Sequence, residues 1–273
     1  VVNNLKKGKT MLSQSAEIYL IPCLSDNYGI IIRTIARGSL GAKTIVIDSP
    51  DADLLMATIK AKGFESIDFV LNTHKHFDHI GGNQKLKDLT GCKIWGPHEI
   101  QALSPVDRFL AGGDCFEIGG LGFEVLDLSG HTKGLIGYYC PHLKSIFLGD
   151  ALFPLGCGRM FEGTASSFWA SMERLLALPP DTLIYCAHEY ALSNAEFALS
   201  LKDTDEALRT RVRKLITQRD QGLPTVPSIL GDEIMTNPFL VHPLKCPQSE
   251  RAERFGQIRA LKDQFQTTGN LKL

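Results

Sequence analysis

The chain has 273 residues, enough to bury a large core in one big domain or in a main domain with an appendage. Hydrophobic residues make up 44% and charged ones 22%, and 29 basic against 30 acidic residues leave a net charge of -1, which disfavours nucleic acid or a membrane surface as partner. No apolar run approaches the ~20 residues that cross a bilayer, and the seven cysteines, scattered and without a CxxC pair, read as a reduced, intracellular set rather than a disulfide framework.

Residues 1–16 carry Lys6, Lys7 and Lys9 with no acid and lack the apolar stretch of a secretory signal. They are expected to be a flexible extension; if they are the remnant of a targeting segment, the location is an organelle matrix rather than the cytoplasm otherwise expected. From Glu17 to about His188, short apolar runs alternate with helices. Strands are expected at Ile18 to Ile21, Ile30 to Thr34, Thr44 to Asp48, Ile67 to Asn72, Cys92 to Trp95, Phe123 to Leu128, Leu135 to Cys140, Ser145 to Leu148 and Thr182 to Cys186. Helices are expected near Asp53 to Lys62, stopped by Gly63, near Asn83 to Leu89, stopped around Gly91, and near Ser166 to Leu178, stopped by Pro179-Pro180. Many strands with few helices predict sheet-on-sheet packing under outer helices, an α+β fold. Beyond His188 no convincing strand appears. Helices are expected at Ala191 to Leu201, Thr204 to Gln218 and Ser249 to Phe265, with Pro224 to Pro247 an extended connector. Residues 1–188 therefore read as a main domain and 189–273 as a smaller helical one.

The chemistry concentrates in Thr73-His74-Lys75-His76-Phe77-Asp78-His79, directly after the strand ending at Asn72. Three of only eight histidines fall in this window, and their spacing fits no helical core stripe. If the chain stays extended past Asn72, His74, His76 and Asp78 share one side while His79 is turned elsewhere by the following helix, so the motif feeds two adjacent sites. Other strand ends add Ser129-Gly130-His131-Thr132, Gly149-Asp150 and Ala187-His188-Glu189. The resulting donors, His74, His76, Asp78, His79, His131, Asp150 and His188, are too many for one catalytic zinc, which typically takes three protein ligands. Two metals sharing a bridging carboxylate and hydroxide fit the number. The donors are all nitrogen or oxygen, which suits zinc first and also iron or manganese. His98, His142 and His242 lack such context and read as structural or exposed.

These residues resemble the metallo-β-lactamase superfamily, whose hallmark is THxHxDH followed by a histidine, a bridging aspartate and a final histidine. More narrowly, the chain is similar to the glyoxalase II family of hydroxyacylglutathione hydrolases over nearly its whole length. Supporting stretches include residues 21–28, Gly156 to Ala165, Ala187-His188-Glu189-Tyr190, Pro224 to Ser228 and Lys262-Asp263-Gln264-Phe265. The resemblance implies an αββα sandwich followed by a helical substrate-binding domain. It implies His74, His76 and His131 on one metal, Asp78, His79 and His188 on the other, and Asp150 between them.

The implied reaction is hydrolysis of an S-2-hydroxyacyl glutathione, such as S-D-lactoylglutathione, to glutathione and the hydroxy acid by attack of a metal-bridging hydroxide. Metal activation of water supplies such a nucleophile at neutral pH, so no serine or cysteine is needed. Asp78 and Asp150 belong to this centre as ligands, since a carboxylate on a dication is a poor proton acceptor. Carried over from the family, Arg159, Phe161, Tyr190, Arg259 and Lys262 would contact the glutathione thioester, the sole expected partner of a monomer. Arg259 and Lys262 are three apart on the last expected helix and share a face. Arg159 stands where lysine is common in the family, Phe161 where some members have tyrosine, and Leu135 where histidine is frequent; none of these removes a ligand. The alternatives are another enzyme of the superfamily, such as a persulfide dioxygenase, a lactonase or a β-lactamase, or a metal-binding protein without turnover.

Overall fold

In the segment Asn27-Tyr28-Gly29-Ile30-Ile31-Ile32, apolar residues fall on both faces, and in the computed structural model both faces are covered: all six are buried. A strand with that pattern belongs between two layers. The structure describes residues 10–12, 15–35, 41–201, 205–269 and 271. They group into two units, one running to Asp127 and including Gly134–Gly149, the other formed by Leu128–Lys133 and the chain from Asp150 onward.

The first unit contains β1 (Thr10–Leu12), β2 (Ala16–Cys23), β3 (Asn27–Thr34), β4 (Thr44–Ile47), α1 (Ala52–Ala61), β5 (Phe69–Leu71), α2 (Phe77–Ile80), α3 (Asn83–Thr90), β6 (Lys93–Gly96), β7 (Arg108–Phe109), β8 (Cys115–Ile118), β9 (Leu121–Asp127), β10 (Ile136–Cys140) and β11 (Ser145–Gly149). Strands β1 to β7 form one sheet in chain order, antiparallel from β1 to β4 and parallel from β4 to β7. Parallel neighbours need crossover connections, and α1 and α3 supply two of them. Asp51 caps α1 by accepting from the Leu54 amide at 3.0 Å, and Gly63 and Gly91, both at positive φ, follow the ends of α1 and α3. Leu55, Ile59 and Leu86 of these helices pack on Ile31, Val46, Val70 and Ile94 of the sheet. From β6, Trp95 meets Phe116 of β8 with ring centroids 5.2 Å apart, and Phe116 stacks on Phe123 of β9. Strands β8 to β11 are antiparallel neighbours. The first unit is thus a helix layer, a mixed sheet and an antiparallel sheet.

The second unit contains β12 (Leu152–Phe153), β13 (Gly156–Cys157), α4 (Ala165–Leu176), β14 (Leu183–Cys186), α5 (Ala191–Ser200), α6 (Glu206–Asp220), β15 (Ser228–Ile229), α7 (Leu230–Thr236), α8 (Pro238–Leu244) and α9 (Arg251–Gln264). Phe255 of α9 contacts Phe168 of α4 and Phe239 of α8, while α5 and α6 bury Ala191, Ala195, Ala198, Leu208, Val212 and Leu215 together. The β12–β13 hairpin is tied to α7 and α8. The Leu155 amide donates to buried Glu233 at 2.9 Å, and Asn237 donates to the Phe153 and Gly156 carbonyls at 3.1 and 3.0 Å. Glu233 pairs with Arg211 at 3.1 Å, and burial raises its pKa against that cation's influence.

The expected strands and helices between Glu17 and His188 are present with ends shifted by a few residues, and three expectations need correction. Within the N-terminal stretch, Thr10–Leu12 pair with β2 as an edge strand rather than forming part of a flexible extension; 1–9, 13 and 14 lie outside the described residues. The stretch Pro224 to Pro247 is no extended connector. It holds β15, α7 and α8, with Asn237 capping α8 by accepting from the Phe239 amide at 3.0 Å and Pro238 at its first turn, where a missing N–H costs nothing. The β14–β15 pair also places a strand after His188. Thr204, expected to start a helix, is outside the described residues; Asp205 caps α6 by accepting from the Leu208 amide at 2.9 Å.

Candidate metal centre

In the first unit the donors gather past the end of β5. Thr73 and His74 are fully buried. His76 then caps a single helical turn, α2, so Asp78 sits on a helix together with His79 and not on an extension of the strand, as the alternation had suggested for Asp78. The turn is locked by the His79 amide donating to the His76 carbonyl at 2.9 Å and by Asn72 donating to the His79 carbonyl at 2.9 Å. Asn83, at the start of α3, donates to Asn72 Oδ1 at 2.7 Å and Ser104 Oγ at 2.6 Å, and accepts from Ser49 at 2.5 Å.

Asp48 organises this cluster, and the motif reading missed it. Its backbone sits at φ +54, just past β4. Its carboxylate accepts from the Thr73 amide, the Thr73 hydroxyl and Nδ1 of His79, each at 2.8 Å. Because Thr73 has one hydroxyl proton and gives it to Asp48, the 3.0 Å contact between Thr73 Oγ1 and His74 Nδ1 is donated by the imidazole. The network therefore assigns protons to Nδ1 of both His74 and His79, leaving each Nε2 with a lone pair. Such outer contacts orient imidazole ligands and raise their basicity. His74 Nε2 lies 2.9 Å from His76 Nδ1, His79 Nε2 lies 3.6 Å from Asp78 Oδ2, and the His74 and His79 rings are 3.9 Å apart. Asn27 donates to Asp78 Oδ2 at 2.8 Å and holds that carboxylate in place. The only signals for Asp48 and Asn27 in the sequence were an acid and an amide at strand ends.

In the second unit, Asp150 is buried and its two oxygens face different histidines: Oδ2 is 3.4 Å from His131 Nε2 and Oδ1 is 3.3 Å from His188 Nε2. His131 Nδ1 donates to the Arg159 carbonyl at 2.8 Å, which again leaves the lone pair on Nε2. This close approach needs Gly158, where a Cβ would fall 2.0 Å from the Asp150 carbonyl and 3.0 Å from His131 Nδ1. His188 stacks on Tyr190 at 4.7 Å with the rings 5° from parallel. Glu189 is anchored by the Thr225 amide and hydroxyl at 2.8 and 2.6 Å, fixing the segment between them.

These residues thus include His/Asp groups able to bind metal ions. Their nitrogen and oxygen donors, buried imidazoles with Nε2 lone pairs and a carboxylate with one oxygen toward each of two histidines, fit divalent cations. All seven cysteines are free and none belongs to these clusters.

The expected substrate contacts also lie in the second unit. Arg159, 59% exposed in its side chain, pairs through Nε with Asp263 at 3.3 Å and has its guanidinium 5.7 Å from the exposed Phe161 ring, which meets His131 edge-on. Arg259 is only 5% exposed and donates to the Cys157 carbonyl and to Asp263, each at 3.0 Å. It is no solvated helix face; it ties α9 to β13, and Asp263 joins it to Arg159. Lys262 donates to the Ser193 carbonyl at 3.0 Å, and burial, helped by the nearby Arg259 charge, lowers its pKa to about 8.

Residues 41–188 match the metallo-β-lactamase superfamily and residues 189–265 the hydroxyacylglutathione hydrolase C-terminus. The solved structures that resemble the chain include BLEG-1 B3 metallo-β-lactamase (TM-score 0.62, 20% identity, covering 82% of this chain and 99% of that one). Another is ETHE1 from Myxococcus xanthus (TM-score 0.59, 22% identity, covering 97% and 92%). Together with the His/Asp clusters, they define a metallo-β-lactamase-fold protein with the expected αββα architecture and a C-terminal helical region. Hydroxyacylglutathione hydrolases from Erythrobacter litoralis and Hyphomonas neptunium are each 42% identical, over 91% and 93% of this chain and 99% and 100% of their own lengths. The chain belongs to the hydroxyacylglutathione hydrolase family of that superfamily.

Proposed function

We propose that the protein hydrolyses S-2-hydroxyacyl glutathione thioesters, S-D-lactoylglutathione among them, to glutathione and the 2-hydroxy acid, using two divalent ions. In this reading His74, His76 and His131 would hold one ion and Asp78, His79 and His188 the other, and Asp150 would be common to both. The observation that carries it is the Asp150 carboxylate, whose oxygens face His131 and His188 separately at 3.4 and 3.3 Å. Zinc suits these donors, as do iron and manganese. When bound, paired ions lower the pKa of water toward about 7 and stabilise charge on a carbonyl under attack.

The chain's own residues do the rest. Asp48 and Thr73 keep the protons of His74 and His79 on Nδ1, and the Arg159 carbonyl does the same for His131. Asp78, held by Asn27, serves as a ligand rather than as a mobile base. Glutathione carries two carboxylates, and the exposed Arg159 guanidinium offers a cation beside Phe161 for one of them, with Tyr190 as a further contact carried over from the family. Arg259 and Lys262 add positive charge from α9, with Asp263 fixing the two arginines; residues 189–273 form the substrate-binding part.

The protein is expected to act as a monomer in the cytoplasm; among the described residues no helix is long and apolar enough to cross a membrane. Release of free thiol from S-D-lactoylglutathione by metal-loaded protein tests the proposal. Turnover of a lactone, β-lactam or persulfide without thioester cleavage would replace it.

A further inference from the structure

A groove of about 610 Å³ opens beside α2, and its walls include His76, Phe77, Ile80, Ala102, Leu103 and Pro105. It lies wholly in the first unit and has one of the proposed metal ligands in its wall. Ligand pockets commonly span roughly 300–1,000 Å³ with apolar walls. Two large apolar side chains are presented to solvent at this groove: Phe77 is 79% exposed and Leu103 63%. The Phe77 ring lies back over Gly81, where a Cβ would fall 3.0 Å from the ring's Cζ, so the glycine leaves room for this aromatic wall. The polar residues of the groove include Asn83 and Ser104, which already bond to each other at 2.6 Å, and Asn83 also bonds to Asn72 and Ser49. An apolar group entering here would strand neither of them without a partner.

Building on the thioesterase reading, we propose that this groove receives the acyl side chain of the substrate and that Phe77 and Leu103 set the preference for an aromatic one. The reacting carbonyl must lie at the metal centre, and His76 belongs both to that centre and to the groove wall. A substituent on the acyl side would then run from His76 toward Phe77 and Leu103, which line the same groove. The methyl group of a lactoyl unit leaves most of this volume empty, whereas the phenyl ring of a mandeloyl unit can lie against Phe77 in the edge-to-face or offset geometry that aromatic pairs favour.

The test compares kcat/KM for S-mandeloylglutathione and S-D-lactoylglutathione in metal-loaded protein. The wild type is expected to hydrolyse the mandeloyl thioester at least as well as the lactoyl one. Leu103→Ser should lower the mandeloyl-to-lactoyl ratio about tenfold, mainly through KM. Phe77→Leu, checked for unchanged metal content, should lower it as well. Hydrolysis of the lactoyl thioester alone, or a ratio that Leu103→Ser leaves unmoved, would overturn the acyl pocket while leaving the thioesterase reading intact. Failure to cleave either thioester would instead remove the thioesterase reading and the pocket with it. A concentration-dependent dimer dissolved by Leu103→Ser, with an unmoved ratio, would assign the patch to self-association and overturn the proposal.

Discussion

Asp48 and His79 are joined at 2.8 Å between Oδ2 and Nδ1, in a buried pair that also takes up the Thr73 hydroxyl. Through these two contacts one carboxylate fixes the protonation of both His79 and His74 before any ion binds. Asp48→Asn keeps the size but can present an N–H where the imidazole needs an acceptor. Losing such an outer contact typically costs about 10–100-fold in metal affinity or activity, and Asp48→Asn is expected to fall in that range. Competition with a chelator, alongside kcat, measures it.

Asp150→Asn removes one of the two anionic oxygens offered to separate histidines. The amide nitrogen is no ligand, so metal content should drop from two ions per chain toward one, and kcat should fall by more than about 100-fold, beyond the loss of an outer contact. Elemental analysis of the purified variant, compared with its circular dichroism to exclude unfolding, distinguishes loss of an ion from loss of the fold.

Lys262 makes a pH prediction. Its pKa lies at about 8, against an ordinary 10.5, chiefly because the ammonium is buried. Below about 8 it is charged and can assist binding of a carboxylate; above, it is neutral, so KM for a glutathione thioester should rise as pH passes through 8. Lys262→Arg, charged throughout this range, should flatten the rise. This group's effect on stability runs the other way. Between about 8 and 10.5 the unfolded chain holds the proton and the folded one does not, so the Lys262 contribution to stability increases with pH. A KM that stays flat from pH 7 to 9.5 would remove the residue from binding.

Asn237 links helix capping to the hairpin that follows Asp150. Its side chain accepts from the Phe239 amide and donates to the Phe153 and Gly156 carbonyls, all buried. Asn237→Ala leaves those groups without partners, at about 2–3 kcal/mol, or roughly 4–12 °C in Tm for a domain of this size. Thermal unfolding followed by calorimetry measures it.

The donors were legible because a metal centre needs several ligands within a few ångströms, and a strand followed at once by a tight turn concentrates them in seven consecutive residues. His131, Asp150 and His188 were recognisable from strand ends. The helical turn of α2 was not, because its four residues carry no periodicity; Asn72 and Ser49 hold it from outside the segment. Asp48 looked like any acid after a strand, and its role depends on Thr73 and His79, distant in sequence. The stretch from Pro224 to Pro247 reads as extended from its proline content alone, although Pro238 directly follows the capping Asn237, where proline starts a helix. Arg259 is expected from the family as a substrate contact, and only the fold shows its guanidinium buried against the Cys157 carbonyl.

The central claim is that two ions held by the His/Asp donors drive thioester hydrolysis. The most direct measurement is titration of chelator-stripped protein with zinc while thiol release from S-D-lactoylglutathione is followed. The account predicts activity that climbs until two equivalents per chain are bound and then levels off. Full activity at one equivalent, or no thiol release at any zinc level, would contradict it.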